Sequence, residues 1–107
     1  MEAVLTYPTC QQFAKLAGSK FVVSVDDKAT ESLELVAITP YKNGLDPQDE
    51  AVKIPSFSLL FVGGSTPHLP QSNYAMEHPV LGRLEIFIVP LGSGARGMQY
   101  EAVFNQI

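Results

Sequence analysis

His68 and His78 are the two histidines of the chain. With Glu77 they are the residues whose types could hold a metal ion. Imidazole and carboxylate are ordinary zinc ligands, and a catalytic site takes three of them with one position open. Glu77 and His78 are neighbours, though, and neighbours on a strand point to opposite faces. Pro79 also keeps His78 extended. The pattern reads as a hairpin residue whose ring bonds a nearby backbone group, and no metal is expected. Cys10 with either histidine could pair a nucleophile with a base. A thiol at a helix N-terminus has its pKa lowered by the dipole. No glycine-rich elbow, oxyanion motif or orienting acid accompanies Cys10, so it reads as a small core residue. No catalytic residue and no cofactor is assigned.

Three further groups invite chemistry and have plainer readings. Asp46, Asp49 and Glu50 lack the alternating oxygen ligands and the glycine of an EF-hand loop, which leaves a solvated linker. Asp26, Asp27, Glu31 and Glu34 form a charged hairpin tip. Gly92-Ser93-Gly94-Ala95-Arg96-Gly97 is not a phosphate loop, because it leads into a strand and offers no helix N-terminus. It is expected to be a flexible hairpin loop whose single charge, Arg96, can touch a partner. Phe57, Phe61, Tyr74, Phe87, Tyr100 and Phe104 fall on strands beside Glu77, Glu85 and Glu101. A base-stacking platform needs basic neighbours, so core packing is their expected role.

The elements that must position these residues are one helix and a run of strands. Cys10, Phe13, Ala14 and Ala17 recur at spacings of three and four, which predicts a helix from Cys10 to Ala17. Thr9 is its N-cap and Gly18 its end. After Gly18 the period drops to two. Strands are expected at Lys20–Asp26, Ser32–Thr39, Ser56–Val62, Asn73–His78, Arg83–Val89 and Met98–Phe104, with Pro90 stopping the fifth. A polar linker runs from Pro40 to Pro55. Six short strands joined by turns predict a mainly β fold, an antiparallel barrel or sandwich, with the last three strands as a meander.

Composition bounds the function. A chain of 107 residues is one domain, here residues 1–107. Its 46% apolar and 17% charged residues exclude a disordered chain. A net charge of −4 argues against a nucleic-acid partner, which needs a basic face. The longest apolar runs, Leu59–Val62 and Ile86–Val89, are too short to span a membrane. One cysteine excludes an internal disulfide. Met1-Glu2-Ala3-Val4 lacks the pattern of a signal peptide, and a cytoplasmic location is expected.

Several segments together carry a family resemblance. They are Phe57-Ser58-Leu59-Leu60-Phe61, Leu69-Pro70-Gln71, Tyr74-Ala75-Met76-Glu77-His78-Pro79, Leu81 to Pro90, and Tyr100-Glu101-Ala102-Val103-Phe104-Asn105. The start adds an aromatic-Pro-Thr lead and Leu16-Ala17-Gly18-Ser19-Lys20-Phe21. The chain thereby resembles DUF6916, a small bacterial domain family of unknown function. The resemblance implies a compact, mainly β protein and supplies no activity, cofactor or site residue.

The strands themselves point to association. A half-exposed strand alternates apolar and polar residues, but the third and fifth do not. Leu60 and Val62 oppose Phe57, Leu59 and Phe61, while Phe87 and Val89 oppose Leu84, Ile86 and Ile88. One short helix cannot cover both faces. Leu60, Val62, Phe87, Val89 and Arg96 are therefore the candidate interface, for a protein partner or a second copy. The leading expectation is a non-enzymatic structural or protein-binding module, such as a part of a phage-tail-like or other multiprotein assembly. A β-barrel enclosing a small molecule is the alternative, and a small hydrolase or isomerase comes third.

Overall fold

The change of period after Gly18 marks where helix gives way to sheet. In the computed structural model, which describes residues 7–25, 29–42, 44–64 and 69–105, α1 (Cys10–Ala14) precedes six strands. These are β1 (Lys20–Ser24), β2 (Thr30–Pro40), β3 (Ser56–Gly63), β4 (Ser72–His78), β5 (Gly82–Gly94) and β6 (Gly97–Asn105). The Asp26-Asp27-Lys28 turn and His68 lie outside the described residues.

α1 is shorter than its periodicity suggests. The Thr9 hydroxyl accepts the Gln12 N–H while the Gln12 side chain accepts the Thr9 N–H, a reciprocal cap that fixes the start. Beyond Ala14 the chain turns tightly to Gly18, whose N–H donates to the Leu35 carbonyl at 2.7 Å. That tie to β2 ends the helix before the Ala17 position is reached.

The strands pair antiparallel in the closed order β1-β2-β3-β6-β5-β4. β4, β5 and β6 are the expected meander, and β3 and β4 are not neighbours in the sheet. Two tyrosines hold the approach to β4: the Leu69 N–H donates to the Tyr100 hydroxyl, and the Tyr74 hydroxyl donates to the Pro70 carbonyl. Closure is uneven. β1 meets β4 through Val22↔Glu77 and Val23↔Met76 alone. β5 changes partner along its length, pairing β4 up to Ile88 and β6 from Val89 onward.

β5 does not stop at Pro90. It runs on to Gly94, with a bulge between Pro90 and Gly92, and returns through Ala95-Arg96. A bulge bends a strand and leaves a residue outside the ladder, which accommodates the proline. The glycine-rich stretch is the tip of a hairpin, as expected, with strand pairing that reaches Gly94↔Gly97. Gly97 (φ +126°) shows why glycine is needed, since a Cβ there would lie 2.1 Å from the Gly63 carbonyl oxygen.

Inward rows from every strand form one core. Phe57 and Phe104 stack with ring centres 5.1 Å apart, and Phe21 meets Phe61 edge-on at 5.4 Å. Phe13 of α1 caps this end of the barrel against Phe57 and Phe104. The linker between β2 and β3 is anchored as well, because Gln11 Nε2 donates to the carbonyls of Asp49 and Val52, and Ile54 is buried.

Candidate protein-binding face

The outer face of β3, β6 and β5 follows from the register. Opposite Val89 on β5 is Glu101 on β6, and opposite Glu101 is Leu60 on β3. One step along, Val103 lies beside Ser58, and Phe87 lies beside Asn73 of β4. With Phe57, Leu59 and Phe61 pointing inward, Leu60 and Val62 must point out. Phe87 and Val103 are the apolar residues most open to solvent here, 46% and 51% exposed. Leu60 and Val89 are half-buried, while Val62 is buried.

Four of the five expected interface residues therefore share one outer face. Arg96 is placed differently. From the β5–β6 tip its guanidinium reaches Glu34 of β2, at 2.7 Å. The pair lies at the surface, with Glu34 opposite Val62 of β3. Glu85 and Glu101 lie on the same outer face with no ion-pair partner among the described residues. Val103 and the bulged Leu91 extend the apolar surface and were missed by the strand reading. The alternation of Tyr100, Ala102 and Phe104 was the available signal, since it sends Val103 outward.

His78 and Cys10 are both buried. The His78 ring is buried, with Phe21 against it at 4.6 Å. Its Nδ1 accepts the Val80 N–H at 3.0 Å, so the proton sits on Nε2, which donates to the Ser19 hydroxyl at 2.9 Å. That hydroxyl in turn donates to the Leu16 carbonyl. The direction is opposite to a nucleophile–base pair, in which serine donates to histidine. Desolvation lowers the His78 pKa and keeps the ring neutral. His78 thus bonds a hairpin amide, as its position before Pro79 suggests.

Cys10 is fully buried, and desolvation raises its thiol pKa, which is the reverse of activation. Among the described residues no group of three His, Cys, Asp or Glu side chains could hold a metal ion. A cleft of about 480 Å³ is an open groove between α1 and the linker, lined by Lys15 and Glu50, which form an ion pair. No helix among the described residues is long and apolar enough to cross a membrane.

A small antiparallel β domain with apolar residues on its outer face is the class that fold and surface define. Residues 8–104 match the model of the family described as a domain of unknown function, DUF6916, and the chain belongs to that family. Neither the comparison with curated proteins nor that with solved structures finds a match.

Proposed function

We propose that this chain is a non-enzymatic protein-binding module that works through the outer face of β3, β6 and β5, as part of a multiprotein assembly. The observation that carries the reading is the exposure of Phe87 and Val103 together, flanked by Val89 and Leu60 on one face. Aromatic and branched side chains held on a rigid sheet lose little conformational entropy when a partner covers them. The His78 hydrogen bonds and the sealed Cys10 favour this reading over a hydrolase or isomerase. The stacked phenylalanines inside the barrel favour it over an enclosed small ligand.

A photo-crosslinking amino acid placed at Phe87, and separately at Lys20 on the far side of the barrel, tests this in the native cell. Adducts to one defined protein from position 87 and none from position 20 are expected. Equal labelling from both positions, or none from either, would refute the reading.

A further inference from the structure

The partner change along β5 leaves a notch in the barrel wall. β5 pairs β6 no further back than Val89↔Glu101. Beyond that point, among the described strands, β5 pairs only with β4 and β6 only with β3, and Tyr7 lies between them against Phe104. The cleft between them, about 220 Å³, is lined by Glu85 and Phe87 on one rim and by Val103 and Asn105 on the other.

Alternate residues of an antiparallel strand direct their N–H and C=O groups to opposite sides. The Glu85 carbonyl accepts the Tyr7 hydroxyl at 2.6 Å and so faces the notch. Phe87, two residues on, faces it as well. Glu101 opposes Val89, so Val103 and Asn105 face it from the other rim. Among the described residues no backbone bond outside the ladders engages these positions. The notch is therefore bounded by two strand edges whose main-chain groups, apart from the Glu85 carbonyl, have no partner among the described residues.

Unpaired edges recruit extended chains, which supply matching donors and acceptors. We propose that the β5–β6 notch accepts an extended segment of a partner protein as an added strand. The proposal rests on the protein-binding reading and names the partner's form. Phe87 and Val103 flank the added strand and contact its outward apolar side chains. Glu85 and Glu101, without ion-pair partners, select a lysine or arginine beside them. A folded helix would leave the edges unpaired, so the occupant is a strand.

The test is a random nine-residue peptide library displayed on yeast and sorted against the intact protein. Enriched peptides should alternate apolar residues with lysine or arginine. Their affinity should fall at least tenfold for Val103→Pro, which removes an N–H aimed into the notch. A synthetic copy of an enriched peptide, N-methylated at alternate residues, should lose binding to the wild type by a similar factor. That second arm is independent of how well Val103→Pro folds. No enrichment would overturn the proposal. So would N-methylated peptides that still bind, or light scattering that shows a second copy of this chain seated at β5. If binding survives N-methylation but is lost in Leu60→Lys, the added strand is wrong and the outer-face reading stands. If neither change matters, both fail.

Discussion

The two ends of the β5–β6 pair are built from the same strands and behave as opposites. At the turn end the hairpin closes on its neighbours, with Gly97 pressed onto the Gly63 carbonyl and Arg96 bonded to Glu34. At the other end the ladder stops at Val89 and Glu101, and the Tyr7 hydroxyl donates to the Glu85 carbonyl. One end holds the barrel together and tolerates little change. The other leaves main-chain groups and two large apolar side chains accessible. Regular pairing around a small barrel is thus complete at the turn end and interrupted at the surface proposed for binding.

Substitutions at the two ends should differ accordingly. Gly97→Ala puts a Cβ into a carbonyl oxygen at a backbone angle that L-residues avoid. It should cost about 3 kcal/mol or more, read as a lower midpoint in denaturant. His78→Leu, at the β4–β5 turn, leaves the Val80 N–H and the Ser19 hydroxyl without the ring, and should cost about 2 kcal/mol.

His78 also makes stability depend on pH. Its folded pKa lies below the ordinary 6.5, so the unfolded chain takes up the proton first as pH falls. The stabilisation is complete above pH 6.5 and declines as pH drops from there through the lower folded value. Melting curves between pH 8 and pH 5 should show this decline in the wild type, and a shallower one in His78→Leu. A variant as acid-sensitive as the wild type would remove His78 from the account.

At the open end the effects shrink. Tyr7→Phe deletes one hydrogen bond and should cost about 1 kcal/mol. It should also raise the affinity of a notch-binding peptide severalfold, because the Glu85 carbonyl becomes free. Val103→Ser alters an exposed side chain and should change stability by no more than about 0.5 kcal/mol while weakening partner binding. A large loss of stability at Val103 would mean that the notch is as tightly built as the turn.

Most of the fold was legible because alternation fixes which residues face inward. Phe57, Leu59 and Phe61 announced β3, and Tyr100, Ala102 and Phe104 announced β6. Four apolar outer-face residues were readable for the same reason. The glycine-rich stretch was legible as a hairpin but its close packing was not, because glycine permits both mobility and close approach. The 2.1 Å separation that decides between them involves Gly63, more than thirty residues away in sequence. Arg96 likewise seemed free because Glu34 reaches it only through the barrel's closure. The notch left no mark on the sequence. It depends on where β5 exchanges one neighbour for another, a property of register between strands and not of any residue type.

Amide hydrogen exchange of the free protein, followed residue by residue, tests the difference between the two ends most directly. The amides of Phe87 and Val103 point into the notch and should exchange at least about 100-fold faster than those of Val89 and Glu101, which lie in the ladder. Protection at Phe87 and Val103 equal to that at Val89 and Glu101 would show that the barrel wall is closed there, and would contradict the account.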